Sequence, residues 1–268
     1  MRKYFSNAAF LSGFCILCTL LLFFIFGYIF IPYQYDEIDT LNKFAAFSKE
    51  HLFGTDYLGR DVFSRIIIGM KISLRIGFTV MISGFVFGTL LGALSGFFGG
   101  VVDSVISKLV DSEMAFPGIL LALMLIAVFG NGINVTILAL FIMSLPRFIR
   151  ISRSGFIKYK NSTFVKSAVS KGASNARILF VHILPNVISD LLVTCTLSFS
   201  LAILSESGLS YLGLGVQAPV PSFGRMLSEG QRFILQRPSQ VLIPAVFLIL
   251  LVLSLNLIGD GISEANQK

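Results

Sequence analysis

Tryptophan is absent from this 268-residue chain, and histidine occurs only twice. Charged residues make up 13% of it against 55% hydrophobic, whereas a soluble domain carries about 25% charged residues. With a mean hydropathy of +0.85, a soluble domain is excluded and a membrane protein is indicated. Cysteine is scarce too. Cys15 and Cys18 form a C-x-x-C, but inside an apolar run from Ala8 to Ile31. A zinc site needs two further ligands, and His51 and His182 lie on other segments. Cys195 also sits in an apolar run. All three therefore read as small packing or lipid-facing residues, and no disulfide framework is indicated.

Catalytic signatures are missing as well. There is no G-x-x-x-x-G-K-S/T segment, and the glycine-rich run Gly96 to Gly100 lacks the lysine of a phosphate cradle. No H-E-x-x-H, nucleophile elbow or dinucleotide fingerprint occurs. No catalytic residue, metal ligand or cofactor is assigned to this chain. If it moves a solute uphill, the energy comes from a nucleotide-hydrolysing partner or from an ion gradient. Sparse charge within the apolar runs weighs against the gradient.

What is present is charge of one sign in one place. Between Arg147 and Pro185 lie Arg147, Arg150, Arg153, Lys158, Lys160, Lys166, Lys171 and Arg177, and no acid. Elsewhere 13 basic residues face 14 acidic ones, a net of −1. A basic segment between spans marks the cytoplasmic side. It fits lipid attraction rather than nucleic acid, because the excess charge is confined to one loop beside apolar runs. This segment also has local order. Ser162 or Thr163 caps a short helix, Phe164 to Lys171, and Gly172 ends it in the left-handed conformation. Ser174 caps a second helix, and Pro185 closes the unit.

A span needs about 20 mostly apolar residues. Six runs qualify, at about 8–31, 72–98, 105–129, 133–150, 188–208 and 240–259. The first is longer than a signal-peptide core and lacks a small-x-small cleavage site, so it is read as a retained helix. Arg2 and Lys3 place the N-terminus inside. Counting spans then puts both termini and the basic segment on the cytoplasmic side. The expected organisation is a first helix and outer loop over 1–71 and a transmembrane core over 72–260. That core contains a cytoplasmic elbow at 151–187, and a tail follows over 261–268.

Two further features bear on packing and pathway. Gly84, Gly88, Gly92, Gly96 and Gly100 recur every fourth residue, which keeps them near one helix face where another helix approaches closely. That partner is a helix of this chain or a second subunit. Glu206 falls near the outer end of the fifth run. It either faces a translocation cavity or bonds to the adjacent loop. Asp111, Glu113 and Asp190 lie close enough to cytoplasmic ends to be interfacial.

The elbow reads Phe164-Val165-Lys166-Ser167-Ala168-Val169-Ser170-Lys171-Gly172-Ala173-Ser174, then Ile183-Leu184-Pro185-Asn186. It resembles the coupling motif of ABC importer permeases. Gly54-Thr55-Asp56-Tyr57-Leu58-Gly59-Arg60-Asp61-Val62-Phe63-Ser64-Arg65 is similar to an outer-loop block of the C-type permease subunits of dipeptide, oligopeptide and nickel importers. Leu209-Ser210-Tyr211-Leu212-Gly213-Leu214-Gly215-Val216-Gln217-Ala218-Pro219, with Pro221-Ser222-Phe223-Gly224, resembles a second such block, and Ala115-Phe116-Pro117 fits as well.

This resemblance implies an all-α, six-span permease of the type I importer fold in a bacterial cell membrane. It implies a B-type permease partner, two ATPase subunits carrying ATP and magnesium, and an extracytoplasmic solute-binding protein. Val165, Lys166, Ala168, Gly172, Ala173 and Ser174 become ATPase-coupling residues, and Glu206 a pathway candidate. Peptide is the implied solute, with nickel or a metal–chelate (opine-type) complex as the alternative. One departure stands out: Lys166 occupies the place of the motif's glutamate. The competing readings are an ion-coupled transporter or channel using Glu206 and a lipid-binding scaffold. A lipid-binding patch would not need the turn at Gly172.

Overall fold

The computed structural model describes residues 7–267. Arg2 and Lys3, on which the N-terminal orientation rests, lie outside the described residues. The chain is helical, and among the described residues the only extended pairing is one antiparallel bridge between Thr55 and Asp61. Five helices are long and apolar enough to cross a membrane, or six if one bent pair counts as a span.

Helix α1, Ala8–Ile29, starts at Asn7, whose side chain accepts from the amides of Ala9 and Phe10. It is a peripheral helix that leans on the last helix of the chain. Helix α2, Val62–Ser83, begins ten residues before the apolar run does. Asp61 caps it, accepting from the Ser64 amide at 2.7 Å, and the charge of Arg65 is neutralised internally, so a polar first turn is tolerated. A π turn at Gly84–Gly88 leads into α3, Thr89–Phe98.

The third apolar run is not one straight span. It divides into α4, Gly100–Met114, and α5, Gly118–Phe129, bent by 89° at Ala115-Phe116-Pro117. Proline disfavours helix in the residue before it and supplies no amide, so the helix stops there. Asp103, Lys108, Asp111 and Glu113 make α4 polar, and α5 at 12 residues is only about 18 Å long.

Helix α6, Ile133–Lys160, runs ten residues past the expected end of its span, so the basic segment begins inside a helix. Helix α7, Thr163–Ser170, is followed by a single turn, Asn175–Arg177, a π segment, Ile178–Ile183, and α8, Leu184–Tyr211. Pro185 therefore does not close the unit: it sits in the first turn of α8 within one continuous 37-residue helix, Asn175–Tyr211. The π segment just before it widens the turn where the ring would clash. The Asn186 side chain donates to the His182 carbonyl at 2.7 Å. Helix α9, Phe223–Gln231, and α10, Ser239–Gln267, complete the chain. Residues 261–267, read as part of a tail, continue α10.

The segment from Gly84 through α3 packs closely against α6. A Cβ on Gly84 would lie 2.8 Å from Phe148 Cε2, one on Gly92 2.5 Å from the Ile149 carbonyl, and one on Gly96 2.6 Å from the Arg153 carbonyl. Gly88 meets Phe148 in the same way. The partner of this glycine face is thus a helix of the same chain. Gly100 does not belong to it, having φ +54° and open space around its Cα at the start of α4. The contacting positions advance in the same direction along both helices, so α3 and α6 run parallel. Replacing Gly92 with leucine is expected to destabilise the fold by about 1–3 kcal/mol through overpacking. Thermal melting of the detergent-solubilised chain checks this; an unchanged midpoint would show that the seam does not need the close approach.

Candidate functional site

Two built regions lie at opposite ends of the bundle: the elbow after α6, and a cap formed by the 31–61 loop and α9.

The elbow is α7 closed by a Schellman turn. Gly172 has φ +77°. Its amide donates to the Val169 carbonyl at 2.9 Å, and the Ala173 amide donates to the Ala168 carbonyl at 3.1 Å, the paired bonds that satisfy the last carbonyls of a helix. Ser174 then caps the next turn, its hydroxyl accepting from the Arg177 amide at 3.4 Å. At the other end Ser162 has the extended backbone of a cap residue, yet its hydroxyl donates back to the Tyr159 carbonyl at 2.6 Å. The end of α6 takes the hydroxyl that the start of α7 was expected to use.

The six residues named from sequence divide by face. Val165, 3% exposed, and Ala168, 8% exposed, are buried, and Val165 belongs to a cluster with Ile178, Leu179, Ile183, Val187, Phe148 and Phe156. They anchor the elbow to the body and present nothing to a partner. Ala173 packs at the edge of the same cluster. Lys166, Gly172 and Ser174 are exposed. So are Phe164, 40%, and Val169, 57%, two apolar side chains that motif matching passed over. Their spacing against Val165 and Ala168 on a 3.6-residue helix was the available signal.

Basic residues beside the elbow are partly spoken for. Arg153 grips Asp103 of α4 with two bonds, Nε at 2.6 Å and Nη2 at 2.7 Å, and Arg150 reaches Asp111 at 2.8 Å. Two of the eight positive charges thus tie α6 to α4.

The cap joins the other two sequence blocks. Asp56 accepts from the Leu58 and Arg60 amides at 2.8 and 3.0 Å and from Arg60 Nε at 2.7 Å. Glu229 of α9 accepts from Arg60 at 2.8 Å, from Arg65 at 2.9 Å and, through its other oxygen, from Arg225 at 2.9 Å. The Arg65 side chain is 1% exposed. Burial opposes the charge on Arg60, but Asp56 and Glu229 outweigh it and hold that guanidinium above its ordinary range. Asp61 adds a contact with His51 Nδ1 at 3.0 Å. No local pattern in the sequence pointed to Glu229.

Glu206 does not face a cavity. It is fully buried, accepting from Ser210 Oγ at 2.7 Å and Ser73 Oγ at 3.2 Å. Ser210 Oγ in turn accepts from the Val216 amide at 2.9 Å. The carboxylate ties α2, α8 and the loop after α8 together, because a buried acid is stable only with its lone pairs satisfied.

A family model described as "Binding-protein-dependent transport system inner membrane component" matches residues 88–268. The dipeptide transport system permease protein DppC of Alkalihalophilus pseudofirmus is 39% identical over 260 residues, 97% of this chain and 86% of that protein. The glutathione transport system permease protein GsiD of Salmonella typhimurium is 45% identical over 250 residues, 92% of this chain and 82% of that protein. Among solved structures, an inward-facing form of the MetNI methionine ABC transporter superposes with a TM-score of 0.61 at 18% identity, covering 75% of this chain and 95% of that one.

Proposed function

Because the chain belongs to the family of binding-protein-dependent transport system inner membrane components, it is a permease subunit of an ABC importer, and we propose that its solute is a peptide. Two relatives of 39% and 45% identity, matched over nearly the whole chain, carry dipeptide and glutathione in their names. That likeness supports peptide over nickel or a metal–chelate. The ion-coupled alternative leaned on Glu206, which is buried and bonded.

The observation that carries the mechanism is the two-faced elbow. Its inner face is sealed to the body by Val165 and Ala168, and its outer face offers Phe164, Lys166 and Val169 uncovered. A short helix with an exposed apolar ridge is suited to a groove on a partner. In this reading the partner is the ATPase, which holds ATP and magnesium, and its closure moves the elbow. A B-type permease completes the pathway. An extracytoplasmic binding protein delivers solute to the cap end, and both termini lie in the cytoplasm of a bacterial cell.

Shape and apolar area dominate such docking, so Lys166→Glu is expected to leave uptake within about fivefold of the starting chain, the scale of an exposed ion pair. Loss of ATPase association in that variant would contradict steric docking. The assignment itself is tested by affinity purification from the native membrane under mild detergent. A second permease, ATPases and a binding protein are expected in the eluate. Recovery of the chain alone, when control complexes survive, would sink it.

A further inference from the structure

Arg147 is the one basic residue of α6 placed well inside the bundle, 14 positions from the start of a helix that begins at Ile133, or about 21 Å along it. An arginine at such depth is costly unless it faces a polar space or a partner. It is exposed, and among the described residues it makes no ion pair or hydrogen bond. It borders two sizeable cavities. One, of about 560 Å³, is also lined by Asp190, Thr194 and Ser263. The other, of about 410 Å³, is also lined by Glu113 and by Arg150, the latter held by Asp111. Both volumes are in the range of small-molecule sites, roughly 300–1,000 Å³.

Asp190 mirrors Arg147. It lies on α8, which packs against α6, its carboxylate is exposed, and among the described residues that carboxylate has no hydrogen-bond or ion-pair partner. A cation and an anion thus border one cavity without neutralising each other. The space beside Arg147 is bordered by α6, α8 and α10. A pair of separated opposite charges is complementary to a solute that carries both charges at its own two ends.

We propose that Arg147 and Asp190 are the two poles of a solute-contact site at the elbow-side mouth of the pathway, taking the carboxylate and the ammonium of a zwitterionic solute with free termini. The inference rests on the peptide-importer reading and adds where, and by which groups, the peptide is held. Thr194 and Ser263 line the same cavity, the Thr194 hydroxyl donating to the Asp190 carbonyl at 2.9 Å. Such a site is open to water, so its contacts favour passage over tight capture.

The test uses the complete importer in proteoliposomes, this chain with its permease and ATPase partners, supplied with binding protein saturated with radiolabelled dialanine. Peptide imported per ATP hydrolysed is measured for the starting complex and for Arg147→Gln, Arg147→Lys and Asp190→Asn. Each neutral variant is expected to lower that ratio about tenfold or more, the scale of a lost charge-assisted hydrogen bond, and the lysine variant to recover most of the loss. An unchanged ratio in both neutral variants overturns the site. So does loss of the second permease on gel filtration, which would assign the two charges to the subunit interface. Failure of the starting complex to import dialanine or glutathione overturns the peptide reading instead, and with it the ligand of this site.

Discussion

Gly172→Phe is expected to abolish uptake while the chain still inserts and assembles in the membrane. The space around Gly172 is open, with no atom within 4 Å of a Cβ built there, so the effect is not a clash. It is conformational. At φ +77° a bulky L-residue is strained by about 1–2 kcal/mol, and relieving that strain breaks the bonds from Gly172 to Val169 and from Ala173 to Ala168. The turn opens, Val165 lifts from its cluster, Ala168 loses its burial, and the outer ridge loses its fixed orientation. Uptake is measured in cells, with membrane content of the chain checked by immunoblot. Gly172→Asn, which tolerates the left-handed region, is expected to keep much of the activity. Normal uptake by the phenylalanine variant would sink the elbow's coupling role.

Glu229→Ala is expected to produce the largest loss of stability in the chain outside its core. The substitution strips Arg60, Arg65 and Arg225 of a shared partner at once. Removing one side of a buried pair costs about 3–5 kcal/mol because an uncompensated charge remains. Asp56 holds Arg60 closely but stands 3.7 Å from Arg65, so it cannot replace the lost contact without moving. The cap should loosen first. Trypsin cleavage after Arg60 or Arg65, together with a lowered melting temperature in detergent, reports this. The exposed Arg232→Ala serves as control. Equal protease resistance in the two variants would refute the idea.

The parts legible in sequence were those governed by near neighbours. Ser174 and Gly172 act on atoms three residues away, and their spacing is visible in a string of letters. The apolar runs likewise marked the helices, because the same residues that favour lipid must also satisfy their own backbone. Errors arose where a partner from elsewhere in the chain decided the outcome. Helix α2 starts early because Arg65 finds Glu229, 164 positions away. Ser162 or Thr163 was expected to cap α7, but the Ser162 hydroxyl serves α6. Pro117 lay inside the run read as one span, 105–129, yet the chain turns by 89° there. Pro185 looked like a stop, yet a π turn absorbs it. Conversely, the glycine face was readable as a seam, but only the fold says that its other half is Phe148 to Phe156 of the same chain.

The continuous helix from Asn175 to Tyr211 has a mechanical consequence. Its 37 residues make a rod about 55 Å long. One end emerges from the elbow one residue after Ser174, and the other carries Glu206 and Ser210, which lock it to α2 and the loop beyond. A rod held at both ends carries load by tilting, without a relay of small rearrangements between its ends. About 5° of tilt displaces its far end by about 5 Å at this length. The π segment Ile178–Ile183 near its base interrupts the regular α-helical bonding, which makes it the natural place for such a lever to bend.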